Sequence, residues 1–133
     1  EWELAAAIGT DQKYAGSDNP DEVAVYLWNQ GAYDSVPTIG TKKANLLGIY
    51  DMSGNVAEWV WDYYEPHSLI NHDLHDPLGP ASGYERVFRG GSRRDNIDKL
   101  QVRNREKSQN GKHDNRMIGL RMAISWFSLN RYK

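Results

Sequence analysis

Between residues 48 and 59 the chain reads Gly48-Ile49-Tyr50-Asp51-Met52-Ser53-Gly54-Asn55-Val56-Ala57-Glu58-Trp59, a Ser-Gly-Asn turn set between apolar and aromatic residues. A turn glycine adopts positive backbone dihedrals without steric cost and lets carbonyls converge on one spot. Asp51 and Glu58 stand on either side of the turn. Carboxylates together with carbonyls are the donor set of a hard cation such as calcium. The same residues also suit a plain strand, turn and strand, with Trp59 and Trp61 in the core and the carboxylates capping backbone amides.

Around this turn the chain is loop-rich. Residues 1 to 8 carry an imperfect helical stripe of Trp2, Leu4, Ala5 and Ile8. Residues 9 to 22 are dense in turn formers, including Gly16, Asp18, Asn19 and Pro20, and predict a loop. Residues 23 to 28 suit either a short strand or an irregular packed segment, and residues 29 to 47 are again loop. Residues 49 to 64 alternate between apolar and polar, so that Trp59, Trp61 and Tyr63 share one face of a strand. These three aromatics and Trp28 are expected in the core. A Pro/Gly/His loop follows over 65 to 84, then a strand over 85 to 89 ended by Gly90-Gly91, and a last strand over 117 to 126. Long loops are uncommon in compact domains unless they carry function.

At 133 residues the chain has the size of one domain. No apolar run approaches the roughly 20 residues that span a bilayer, and no signal peptide or lipid-attachment motif is visible. Cysteine is absent, so disulfides and thiol chemistry within the chain are excluded. The net charge is −2, but residues 93 to 116 hold eight Lys or Arg against four Asp or Glu, a local balance of +4. That segment is mixed in sign and rich in Asn, Gln and Ser, unlike the uniformly basic stripe of a nucleic-acid binder, so no nucleic-acid partner is expected.

The stretch from Gly48 to Trp59 resembles the signature of the formylglycine-generating enzyme (sulfatase-modifying factor) family. Glu1-Trp2-Glu3-Leu4-Ala5-Ala6-Ala7, Val36-Pro37-Thr38-Ile39-Gly40, Asn45-Leu46-Leu47-Gly48, Asp76-Pro77-Leu78-Gly79-Pro80-Ala81-Ser82-Gly83, Arg86-Val87-Phe88-Arg89-Gly90-Gly91-Ser92 and Ile118-Gly119-Leu120-Arg121 resemble further family motifs, in the family's order. The resemblance implies an α+β, C-type-lectin-like fold of the formylglycine-generating-enzyme type, loop-rich with short strands and little helix. It implies that residues 1–125 are the C-terminal portion of such a domain, with 126–133 a tail and an N-terminal part missing. It also favours an extracellular or cell-surface location.

By the same resemblance, calcium is a possible cofactor, with Asp51, Gly54, Val56 and Glu58 as ligands. A second family site lies near Asn29 and Asp34, without a residue-by-residue match. In the aerobic enzymes two cysteines hold copper; their positions fall at Asp95 and Leu100, neither of which supplies the soft sulfur copper(I) needs. No copper and no catalytic residues are therefore expected. His72-Asp73-Leu74-His75 with Asp76 has metal-like residue types but reads as a solvated loop.

The segment between Gly-Gly-Ser and Ile-Gly-Leu-Arg resembles the exposed face of ligand-binding family members. It also resembles the variable region of proteins diversified by retroelements. Its candidate ligand-binding residues are Arg93, Arg94, Asp95, Asn96, Asp98, Lys99, Gln101, Asn104, Glu106, Lys107, Gln109, Asn110, Lys112, His113 and Asn115. Arg89 and Arg121 are assigned to structure, because arginines in loop-rich folds bond loop carbonyls and carboxylates. The function expected is non-catalytic binding of a protein or other macromolecule. The alternatives are an enzyme or enzyme subunit of the family with essential groups outside residues 1–133, and an accessory subunit whose polar face has no ligand. Sugar binding would follow from the fold's name alone, and the sugar-binding motifs Glu-Pro-Asn and Gln-Pro-Asp are absent.

Overall fold

The computed structural model describes residues 1–31, 38–66, 79–108 and 117–123. Helix α1 spans Trp2–Ala7 and stops at Ile8, whose backbone turns left-handed while its amide donates to the Leu4 carbonyl. A helix this short does not hold itself together in water. Tertiary packing supplies the rest: Ala6 is buried with Ala15, Met52 and Val102, and Trp2 packs against that cluster. The loop expected over 9–22 gives way near its end to a single helical turn, α2, at Pro20–Val23. Pro20 presets the first helical φ and the Asn19 side chain accepts from the Asp21 amide at 3.2 Å, so these turn formers mark a helix start.

Residues 23–28 are irregular. Val25 makes an isolated bridge to Gly54, while Val23, Ala24 and Tyr26 join Tyr14 and Leu100 in a second buried cluster.

One mixed sheet contains β1 (Ala57–Tyr63), β2 (Arg86–Arg89), β3 (Glu106–Lys107) and β4 (Ile118–Leu120), in the order β3-β2-β1-β4. β2 runs antiparallel to both β1 and β3, whereas β4 lies parallel to β1. In this register Glu58 of the central strand sits between Arg89 and Gly119. The expected last strand is present as β4, and its residues 124–126 lie outside the described residues.

The core placement expected for the aromatics needs correction. Trp59 is half-buried and meets Phe88 edge to face at 5.7 Å. Trp61 is 80% exposed and Trp28 76% exposed. The pairing of β1 with β2 shifts between Trp59 and Tyr63, and such an irregularity re-aims side chains. Beyond it the Arg86 guanidinium lies 3.7 Å from the Tyr63 ring centre and 5.3 Å from that of Trp61. A cation over the rings replaces the core as their partner. Trp28 sits in the turn that follows Tyr26, where Asn29 donates its amide to the Tyr26 carbonyl.

Ser53 ties the two clusters together. It is 1% exposed; its hydroxyl accepts from the Ala15 amide at 3.1 Å and donates to the Leu100 carbonyl at 2.9 Å. Ser53→Ala leaves a buried amide and a buried carbonyl unpaired, for a loss of about 1–3 kcal/mol. A lower urea midpoint at unchanged m-value is the expected reading.

Candidate functional site

The signature turn owes its shape to three residues with positive φ, Asp51 (59°), Gly54 (77°) and Asn55 (61°). Backbone bonds stitch it to three other segments. Gly54 donates to the Gly90 carbonyl at 2.8 Å, Asn55 to the Val25 carbonyl at 2.8 Å, and Arg93 to the Asn55 carbonyl at 2.9 Å. An open cleft of about 650 Å³ lies beside it, lined by Asp51, Asn55, Val56, Glu58 and, from the C-terminal strand region, Gly119 to Arg121.

Glu58 is buried, and its carboxylate is surrounded by donors. Trp2 Nε1 donates to Oε2 at 2.7 Å. Arg121 donates from Nε to both oxygens at 3.0 Å and from Nη2 to Oε1 at 2.6 Å. Arg121 Nη2 also reaches the Tyr50 carbonyl at 3.0 Å. Asp51 Oδ2 accepts from the Gly40 amide at 2.7 Å. Gly54 is buried, and Val56 is half-buried. The four residues expected to hold calcium, Gly54 and Val56 through their backbone carbonyls, are thus at one turn; the Glu58 carboxylate there is paired with a guanidinium, whereas calcium takes six to eight oxygen ligands. No group of three or more His, Cys, Asp or Glu suited to a metal occurs among the described residues. Asn29 is used locally, accepting from the Tyr26 amide and donating to Asp21 and the Ala24 carbonyl. Asp34 and the stretch from His72 to Asp76 lie outside the described residues.

The polar segment after Gly91 is a loop held from beneath. Asp95 Oδ2 accepts from the Ser92 amide at 2.8 Å and its hydroxyl at 2.6 Å, and the Asp95 carbonyl accepts from the Leu27 amide at 3.2 Å. A 3₁₀ turn over Ile97–Leu100 buries Leu100 completely. Val102 donates to the Lys13 carbonyl at 2.8 Å. Arg89, 6% exposed, donates from Nη1 to the carbonyls of Arg103 (3.2 Å) and Asn104 (2.7 Å) and pairs through Nη2 with Glu3. Burial lowers the Arg89 pKa, and the neighbouring Glu3 carboxylate opposes that shift. Arg89 and Arg121 are therefore both structural, as the sequence suggests.

Asn96, Asp98, Lys99 and Lys107 of the expected binding set are exposed. Arg94, Asp95, Gln101, Asn104 and Glu106 are half-buried; Arg94 and Asp95 line a small cleft of about 190 Å³ with Ser92 and Phe88. Lys99 pairs with Glu106, and Lys107 with Glu85 at 2.9 Å. Arg93 is a correction: at 6% exposure it is beneath the face, with its amide spent on the turn. Gln109, Asn110, Lys112, His113 and Asn115 lie outside the described residues. The structure adds Ile97 and Arg103 to the exposed surface, the latter paired with Asp11 at 2.9 Å. Arg103 was legible as part of the same polar run, and the 3₁₀ turn leaves Ile97 exposed.

Asp95 is thus a carboxylate capping its own loop, and Leu100 is fully buried. Residues 1–126 match the family described as "Sulfatase-modifying factor enzyme 1-like domain". The chain belongs to this family. It is 44% identical over 82 residues to the "Chaperone protein LppX" of Paenibacillus barcinonensis, covering 48% of this chain and 29% of that protein. It is 32% identical over 105 residues to the formylglycine-generating enzyme of Streptomyces coelicolor, covering 69% of this chain and 33% of the enzyme. Among solved structures, "Treponema denticola variable protein 1" superposes with a TM-score of 0.79 at 36% identity, over 90% of this chain and 43% of that one. The chain thus spans a third or less of these two curated relatives. The fold is the α+β, C-type-lectin-like fold of the sulfatase-modifying factor family, with little helix and a small mixed sheet.

Proposed function

We propose that this family member is a non-catalytic ligand-binding domain, with a protein or other macromolecule as its ligand. The exposed side chains of Asn96, Ile97, Asp98, Lys99, Arg103 and Lys107 form the described part of its contact face. The observation that carries this reading is a separation of roles along one loop. Buried groups hold the backbone from below: Ser53 on the Leu100 carbonyl, Arg89 on those of Arg103 and Asn104, and the Lys13 carbonyl on the Val102 amide. The outward side chains make surface contacts instead: Lys99 pairs with Glu106, Arg103 with Asp11, and Lys107 with Glu85 and the face of the Tyr64 ring. Such a face accepts substitutions without loss of the scaffold, and charged and amide groups on it suit charge-assisted hydrogen bonding. A surface receptor diversified by a retroelement is the most specific form of this function, and the neighbour's printed name, a variable protein, supports it. The absence of cysteine and the capping role of Asp95 support the non-catalytic part.

Sequencing the codons of residues 93–116 across many isolates tests the proposal. Substitutions are expected at Asn96, Asp98, Lys99, Arg103 and Lys107, with Arg93, Leu100 and Val102 constant. A window no more variable than the flanking Arg89-Gly90-Gly91-Ser92 codons would remove the diversified-receptor reading.

A further inference from the structure

We propose that the cation of the signature turn is the guanidinium of Arg121, and that the turn is set without calcium. The proposal is independent of the binding face. Arg121 lies just past β4, Glu58 in β1 and Trp2 in α1, so one carboxylate joins residues separated by 56 and 63 positions. The geometry is the two-pronged arrangement in which arginine recognises a carboxylate most strongly. The Glu58 side chain is 10% exposed and that of Arg121 34%, so solvent screens the pair incompletely.

Arg121 also supplies what a metal would supply at this place. It neutralises Glu58, and through Nη2 it draws in the Tyr50 carbonyl, which precedes the strained Asp51. With Glu58 neutralised, Asp51 is the one carboxylate of the turn left to attract a dication, and one of its oxygens is bound to the Gly40 amide. Asn55 Oδ1 is buried and accepts no hydrogen bond among the described residues. An ion reaching for that oxygen and Asp51 would face the positive charge of Arg121 across the same cleft.

Thermal unfolding of the chain in excess chelator and in millimolar calcium tests the proposal, together with terbium luminescence excited through tryptophan. Trp2, bonded to Glu58, is placed to sensitise any lanthanide at the turn. The expected result is the same midpoint in both buffers and no sensitised emission. Arg121→Gln, which keeps a donor but removes the charge, is expected to lower the midpoint by roughly 5–15 °C. A wild-type midpoint that rises saturably with calcium, or terbium emission that calcium competes away, overturns the proposal. So does an Arg121→Gln midpoint equal to that of the wild type. If the variant does not fold, the two wild-type measurements still decide.

Discussion

Gly54→Ala is expected to remove a large part of the stability of the fold. An added Cβ would lie 2.3 Å from the Val25 carbonyl oxygen and 3.1 Å from the carbon and nitrogen of the same residue. The atoms it meets are backbone, and that carbonyl is held in place by the Asn55 amide at 2.8 Å. Retreat of the Val25 segment breaks its bridge to Gly54 and its bond from Asn55, and retreat of Gly54 breaks the bond to Gly90 as well. The φ of +77° adds a second cost, because a side chain at left-handed φ loses about 1–2 kcal/mol. Overpacking costs about 1–3 kcal/mol even where side chains can yield, and backbone yields less. A total of about 4 kcal/mol or more is a large part of the roughly 5–15 kcal/mol that holds a domain folded. Gly9→Ala separates the two causes: Gly9 has φ +71° but open space around its Cβ position, so only the dihedral cost applies. Soluble yield and urea midpoints of the two variants are the measurement. Equal midpoints would show that contact with Val25 is not the reason for the glycine.

Arg89→Met is expected to cost about 1–3 kcal/mol. Methionine keeps most of the volume, so the loss reports hydrogen bonds and charge more than packing. Removing the guanidinium strips donors from the carbonyls of Arg103 and Asn104 and leaves Glu3 without its partner. The guanidinium also lies 5.4 Å from the Trp2 ring centre, so the packing of α1 loosens with it. Arg89→Lys is expected to recover little, because one ammonium does not span two carbonyls and a carboxylate in the planar arginine's geometry. The readouts are urea unfolding and hydrogen exchange at Asn104 and Glu106. Loss of protection at these amides well before global unfolding would show that Arg89 holds the binding loop; an Arg89→Met variant within about 1 kcal/mol of wild type would show that it does not.

Much of the fold is readable from residue order. The Ala-rich run after Trp2 gives α1, Gly90-Gly91 ends β2, and Ser53-Gly54-Asn55 marks a turn needing positive φ. These features rest on local sterics and on periodicity, which a few neighbouring residues settle. The structural roles of Arg89 and Arg121 were also legible, because a guanidinium among loops has carbonyls and carboxylates to satisfy. Their partners were not.

Long-range contacts decided the rest. Glu58 has the identity and spacing of a calcium ligand, but nothing in its neighbourhood foretells the guanidinium of Arg121, which arrives from just past a strand lying parallel to β1. Arg93 sits inside a polar run, yet it is buried and its backbone amide is bonded to Asn55. Trp61 alternates with Trp59 as a strand residue should, but the shifted register beyond Trp59 leaves it outside with Arg86. In each case the residue type states what the side chain can bond to. Closure of loops many residues long states which group is near enough to bond, and no local pattern carries that information.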